Sequence, residues 1–279
     1  MVVLVTGASG QLGQCIKHIA HKYENLTFYY ADSKEVNVTD KASLEALFTK
    51  VKPDFCINAA AYTAVDKAES DKENAFAINV TGAKNLAEVC SVNKVTLVHI
   101  STDFVFDGEK TTPYTEEDIT NPGGVYGLTK RLGEEEIEKI LPEHFIIRTS
   151  WLYSQFANNF MKTMLRLALE RDSLGVIDDQ KGTPTNAVDL ADAVLKIIVS
   201  GKKAYGIYNY SNEGETSWYG FAKEIFKVNK VDIDLKPIPT TAYPTPAKRP
   251  KYSVLDKKKI KSTFDLQIDN WQDSLQPYN

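Results

Sequence analysis

The sequence predicts an α/β protein: a doubly wound parallel sheet followed by a smaller C-terminal lobe. Three observations carry this. Short apolar runs without polar alternation recur between amphipathic stretches, as expected of strands buried on both faces beneath helices. A glycine-rich turn links the first apolar run to the first amphipathic stretch. After Trp151 the alternation gives way to helices, isolated strands and a Pro-rich segment from Pro237 to Pro250.

The elements follow in order. Val2 to Val5 is a buried-strand signal, and helical periodicity runs through Ile16, Ile19 and Ala20. Thr27 to Ala31 reads as a second strand, ending at Asp32. Asp40 to Val51 reads as a helix with Leu44, Leu47 and Phe48 inward. Phe55 to Ile57 is a third strand, and a long helix is expected from about Glu73 to Asn93. Thr96 to Ile100 is a fourth strand. A polar loop to Gly124, a helix bearing Tyr126 and Lys130, and a fifth strand at Phe145 to Ile147 complete the series. The segment 237–250 is too rich in Pro for a core helix and is expected to be an ordered loop of the second lobe.

Composition narrows the function. The chain has 279 residues, 43% apolar and 25% charged, enough for one large α/β domain or a domain plus a lobe. A net charge of −4 argues against nucleic acid as the main partner. Cys15, Cys56 and Cys90 lie far apart in apolar-periodic segments, without metal spacing, and read as buried thiols in a reducing compartment. No apolar run approaches a membrane span, and no signal segment precedes the first strand. A soluble cytoplasmic protein with no membrane partner and no metal is expected.

Ligands of such sheets gather past the carboxyl ends of the strands. The turn Gly7-x-x-Gly10-x-x-Gly13 stands there, opening a helix directly after the first strand. Small residues let backbone approach a pyrophosphate at the helix N-terminus. No Gly-Lys-Ser/Thr follows, so a phosphate loop is excluded. A Rossmann-like cofactor domain is therefore expected over residues 1–150. Asp32, closing the second strand, can accept hydrogen bonds from an adenosine ribose. Its charge favours NADH over NADPH, but Lys34 is near enough to compensate, so both remain open.

The fourth strand delivers Ser101-Thr102-Asp103 to the same edge. A hydroxyl there can hydrogen-bond the oxygen of a bound ketone. Tyr126 and Lys130, at i and i+4, share one helical face. A neighbouring ammonium is expected to lower the phenol from its free value of about 10. Tyr126 would then act as general acid, with Lys130 supporting it and holding the nicotinamide ribose. Such acid catalysis is worth roughly 10²- to 10⁴-fold.

These three motifs together resemble the extended short-chain dehydrogenase/reductase superfamily. Further stretches narrow the resemblance: 58–70 (Asn-Ala-Ala-Ala-Tyr-Thr-Ala-Val-Asp-Lys-Ala-Glu-Ser), Arg148 to Tyr153, Asn159 to Arg166, Asp179-Gln180 and Thr241 to Pro250. With them, the chain to about Asp256 is similar to the dTDP-4-dehydrorhamnose reductase family. The resemblance implies NAD(P)H-dependent reduction of the 4-keto group of dTDP-4-dehydro-6-deoxy-L-mannose to dTDP-L-rhamnose. It implies a mainly substrate-binding lobe over 151–279, with some segments returning to the first domain. Carried over by motif, Tyr126 is the proton donor, Lys130 its partner and Thr102 the tuning hydroxyl. Gly10, Gln11 and Leu12 would line the pyrophosphate. Asp32, Asn37 and Val38 would line the adenosine end, although relatives often have Asp where Asn37 stands. Ala61, Tyr62 and Thr63 would lie beside the cofactor. Thr102, Asp103 and Trp151 would touch the sugar, and Arg249 the diphosphate.

Two alternatives follow from the same residues. Another nucleotide-sugar enzyme of the superfamily is one, but dehydratases place Thr-Asp-Glu where this chain has Thr102-Asp103-Phe104. A non-catalytic, nucleotide-binding regulatory subunit is the other, against which stands the presence of Thr102, Tyr126 and Lys130 together. Some relatives are dimers bridged by Mg²⁺ through carboxylates early in the first helix and near Asp189. Here Gln14, Cys15 and Val188 offer no hard carboxylate oxygens, so a monomer or weak homodimer without such a bridge is expected.

Overall fold

A computed structural model describes residues 1–277. In its first half strands and helices alternate: β1 (Val2–Thr6), α1 (Gln11–Ile19), β2 (Thr27–Ala31), α2 (Lys41–Val51) and β3 (Phe55–Asn58). Next come α3 (Val65–Ala68), α4 (Lys72–Phe76), α5 (Gly82–Asn93), β4 (Thr96–Thr102), α6 (Val125–Ile140) and β5 (His144–Thr149). The second half holds β6 (Leu152–Tyr153), α7 (Phe160–Glu170), β7 (Ser173–Ile177), β8 (Lys181–Gly182), β9 (Thr185–Asn186) and α8 (Ala187–Val199). It closes with β10 (Gly206–Asn209), β11 (Thr216–Ser217), α9 (Trp218–Val228), β12 (Asp234–Ile238), α10 (Lys258–Phe264) and α11 (Trp271–Ser274).

Six strands form one parallel sheet in the order β10-β5-β4-β3-β1-β2. Its central strands are buried on both faces, which is why they read as unbroken apolar runs. On one face Leu12, Ile16 and Ile19 of α1 and Leu190, Val194 and Ile198 of α8 cover Val3, Val5 and Ile147. On the other, Leu44 and Phe48 of α2, Leu86 of α5 and Ile137 of α6 cover Leu4, Leu97 and Ile146. Asp40 caps α2, accepting from the Ala42 and Ser43 amides at 3.0 and 3.3 Å, a contact worth about 1 kcal/mol.

The rest of the chain serves two places. α8 and β10 return to the large sheet, with Ile207 in register with Ile146. A separate apolar cluster, with Met161 and Met164 of α7, Phe221 and Ile225 of α9, and Trp271, is the core of a smaller lobe.

The stretch expected to be helical from about Glu73 to Asn93 is helical from Lys72 to Asn93, with a π-helical turn, Ala77–Thr81, between α4 and α5. One expectation needs correction. The Pro-rich segment is not all loop, because Pro237 and Ile238 end β12, which among the described residues pairs only with β7. A strand with one partner tolerates a residue that cannot donate to a ladder.

Candidate active site

The glycine turn crosses from β1 to α1 where β3 ends. Gly7 has φ 67°, and a Cβ there would lie 2.5 Å from the Ala60 amide nitrogen. Only glycine lets the two strand ends approach this closely. Gly10 precedes α1 and offers no side-chain cap, so the first amides of the helix are left for an anion. A groove of about 270 Å³ opens here, lined by Gly7, Gly10, Asn37, Val38, Ala61 and Ile78 among others. A second cleft of about 640 Å³ shares Ser9 with this groove and includes Asp32, Lys17 and Tyr30.

The cofactor candidates occupy different roles around this turn. Leu12 is buried in the core, so only its backbone can face a phosphate. The Gln11 side chain is turned to the small lobe: its Nε2 donates to the Leu152 carbonyl at 3.1 Å, and its Oε1 accepts from Asn159 Nδ2 at 2.9 Å. Asp32 Oδ1 accepts from the Lys34 amide at 2.9 Å. Asn37 Oδ1 accepts from Thr39. Tyr62 is fixed by Asp71, which accepts from its hydroxyl at 2.9 Å, and Thr63 beside it is exposed.

At the end of β4 the reaction candidates meet. Thr102 Oγ1 donates to Asp103 Oδ1 at 3.0 Å and accepts from the Phe104 amide at 3.2 Å. The same hydroxyl is near enough to the Tyr126 phenol to influence its titration. Tyr126 packs its ring edge against Phe104, 5.6 Å between centroids. α6 comes close enough that a Cβ on Gly127 would stand 2.1 Å from the Phe104 carbonyl oxygen. The N-terminus of α6 is held by Glu69, whose Oε1 accepts from the Val125 amide at 2.8 Å.

The electrostatics differ from the expectation in one respect. Burial pushes the Tyr126 phenol up to about 12; the Thr102 hydroxyl opposes this and the Asp103 charge adds to it. No lowering by Lys130 is felt. The reason is geometric: Lys130 Nζ is turned into the sheet, donating to the Ile100 carbonyl at 2.7 Å and facing His99 Nε2 at 3.2 Å. Burial pushes Lys130 down to about 8, with Glu134 opposing. Burial likewise pushes the Asp103 carboxyl up to about 6, and its Oδ2 has no aligned partner.

The lobe candidates lie further out. Trp151 sits at φ 46° and stacks on Trp218, 3.5 Å between ring centroids. Arg249 Nη2 donates to Asp66 Oδ2 at 2.7 Å, its guanidinium lies over the Phe104 ring, and its Nη1 is buried without a partner. In the region considered for Mg²⁺, Asp189 Oδ2 accepts from Asn212 Nδ2 at 2.8 Å, Gln14 donates to the Ser9 carbonyl, and Cys15 is buried.

Sequence reasoning missed several residues that organise the site. Glu69 caps α6 from far away in sequence, with no local signal. Asn79, in the π-helical turn, bonds both the Tyr62 backbone and the Thr129 hydroxyl. His99 carried a signal: an ionisable residue inside the apolar run Thr96 to Ile100.

Residues 1–278 match a family model described as the RmlD substrate binding domain. The chain is 42% identical to the dTDP-4-dehydrorhamnose reductase of Aggregatibacter actinomycetemcomitans, over 98% of this chain and 96% of that protein. It is 40% identical to that of Sinorhizobium fredii, over 98% and 95%. The crystal structure of a dTDP-4-dehydrorhamnose reductase from Clostridium acetobutylicum matches with a TM-score of 0.94 at 43% identity, covering 100% of this chain and 98% of that one. The one from Bacillus anthracis, solved in complex with NADP, matches with a TM-score of 0.93 at 36% identity, covering 98% and 96%.

Proposed function

This chain belongs to the dTDP-4-dehydrorhamnose reductase family, and from that premise we propose how its residues perform the reaction. The reaction is the NAD(P)H-dependent reduction of the 4-keto group of dTDP-4-dehydro-6-deoxy-L-mannose to dTDP-L-rhamnose, for polysaccharide biosynthesis.

The turn fits a dinucleotide. The uncapped start of α1, the bare backbone at Gly7 and the groove beside them suit a pyrophosphate. In our reading Gly7, Gly10, Gly13 and the backbone of Gln11 and Leu12 hold it. Asp32, Asn37 and Val38 face the adenosine end, and Ala61, Tyr62 and Thr63 follow toward the nicotinamide. When bound, the reduced nicotinamide supplies the hydride.

The observation that carries the assignment is the close approach of α6 to the end of β4, which packs Tyr126 against Phe104, two residues past Thr102, at the carboxyl edge of the sheet. Raised to about 12, the phenol is protonated at neutral pH and so has a proton to give, although a value nearer neutrality would give it faster. Tyr126 gives that proton to the sugar oxygen as negative charge grows there. Thr102 steadies the same oxygen. Lys130, whose amine is turned away from the phenol, is assigned to the ribose side. Asp103 and Trp151 hold the sugar. For Arg249 we assign the unpartnered Nη1 to the diphosphate, while Asp66 fixes the other side of the fork.

The same reading extends to partners. We take the partner to be a small dTDP-sugar substrate; a net charge of −4 argues against nucleic acid. We place the protein in the cytoplasm, with no membrane partner, as a monomer or weak homodimer without a Mg²⁺ bridge. Excess EDTA should leave its molar mass unchanged, and a change would contradict this. The functional test is a coupled assay from dTDP-4-keto-6-deoxy-glucose and its epimerase, with each reduced cofactor in turn. Tyr126→Phe should lose most turnover and keep cofactor affinity. Near-wild-type turnover in that variant would eliminate the assigned role.

A further inference from the structure

A chain of buried polar groups runs under the site: Lys130, His99, Asn58 and Thr6, all less than 6% exposed. Nothing in the reaction above uses His99 or Asn58. Their hydrogen bonds fix where the protons are. Asn58 Oδ1 accepts from Thr6 Oγ1 at 2.8 Å and from the Ala60 amide at 3.1 Å. The Ala60 amide can only donate, so the Asn58 side chain cannot be turned over. Its Nδ2 therefore faces His99 Nδ1 at 3.0 Å. That nitrogen can only donate too, so His99 Nδ1 carries the lone pair and Nε2 carries the proton. Nε2–H then points at Lys130 Nζ, 3.2 Å away.

An ammonium has three donors and no acceptor, so it meets this N–H unfavourably. A neutral amine presents a lone pair to it and still donates to Ile100. We propose that His99, held in one tautomer by Asn58, is a positioning residue that weakens the hold of Lys130 on its proton. The proton lost from Nζ goes to solvent, and His99 keeps its own.

The surroundings agree. Burial, then the charge on Lys130 and then His144 of β5, push His99 well below its ordinary range, so it stays neutral. Lys130 is met by His99 from β4 and by Glu134 from its own helix. Glu134 is in turn engaged by Arg148 of β5 and Arg131 of α6. The consequence for the reaction is a lysine able to exchange its proton near neutral pH, rather than a fixed cation.

The inference rests on Lys130 being part of the catalytic machinery, and its test separates the two. The tautomer is read directly, without turnover, from long-range ¹H–¹⁵N spectra of histidine-labelled protein. Only four histidines contribute, and His99→Gln identifies the signal. The expected result is a neutral ring protonated on Nε2 between about pH 5 and 8. A ring protonated on Nδ1, or an imidazolium, overturns the proposal whatever the kinetics show.

The second measurement is the basic limb of kcat/KM against pH. Glutamine at position 99 can turn its amide oxygen to the ammonium, so His99→Gln should move that limb up by on the order of one pH unit, tenfold in proton affinity. Asn58→Asp keeps the bonds from Thr6 and Ala60, draws the His99 proton to Nδ1 and should move the limb the same way. A purely structural His99 would lower kcat at every pH and leave the limb in place, which refutes the proposal. Full turnover in Lys130→Met would instead remove the catalytic reading of Lys130.

Discussion

Asp103 should make the protein less stable at neutral pH than an isosteric amide would. Its carboxyl is 2% exposed and its acid is pushed by burial from 3.8 to about 6. The unfolded chain loses this proton near 3.8 and the folded protein holds it to about 6. Between those values the folded state binds more protons, so stability falls as pH rises, and above about 6 the full penalty is present. A shift of roughly two units corresponds to about 3 kcal/mol. Asp103→Asn removes this penalty. It keeps an acceptor for Thr102 but adds amide hydrogens, of which the neighbouring Ser253 hydroxyl can take one. An unsatisfied N–H costs about 1 kcal/mol. The variant should thus be about 2 kcal/mol more stable at pH 7 and, below about pH 4 where the acid is neutral in both states, about 1 kcal/mol less stable. Urea unfolding across this range, with both proteins in the same buffers, reads the difference. A difference that keeps one sign from pH 4 to pH 7 would refute the reasoning. The same variant should bind the sugar more weakly, seen as a raised KM for the keto sugar.

Other perturbations test separate parts of the structure. Lys130→Met should flatten the rise of stability between about pH 8 and 10.5, because the unfolded chain keeps this proton to 10.5 and the folded protein releases it at about 8; denaturant midpoints at stepped pH check this. Gly7→Ala forces φ 67° on a residue with a Cβ and drives it into Ala60, so cofactor affinity by fluorescence titration should fall at least tenfold. Arg148→Met strands Glu134, which Arg148 contacts at 2.7 and 3.0 Å with both side chains buried. The loss should be about 3 kcal/mol, since Arg131 remains to compensate, and adding Glu134→Leu should recover most of it.

What was legible in the sequence was local. The glycine turn, the strand ends and the Tyr126–Lys130 pair each span a few residues, and their backbone geometry follows from spacing alone. What was not legible depends on partners distant in the chain. Val125 is capped by Glu69, and Asn209 joins the sheet opposite Arg148. The direction of the Lys130 side chain is the clearest case. Helical spacing places it on the face of Tyr126, but the Ile100 carbonyl and the His99 ring, both on β4, decide where its amine goes. Pro237 shows the converse error: composition argued for loop, while pairing with β7 alone left room for a residue with no N–H to give.

The perturbed groups of the site share a cause and a location. Tyr126, Lys130, His99 and Asp103 are each displaced mainly by burial, in the direction that disfavours their charged forms. A fold selected for stability alone would not collect four such groups at one sheet edge. What holds them there is backbone, fixed by elements that carry no chemistry: the cap from Glu69, the Asn79 bonds to Tyr62 and Thr129, and the buried Arg148–Glu134 pair beneath α6. This separation lets burial disfavour the charged forms of these groups while the groups stay in place. Their protonation can change because their positions do not depend on it. The exception is Lys130, whose amine is placed by hydrogen bonds that differ between its two protonation states. That makes it the one group whose position and charge are coupled.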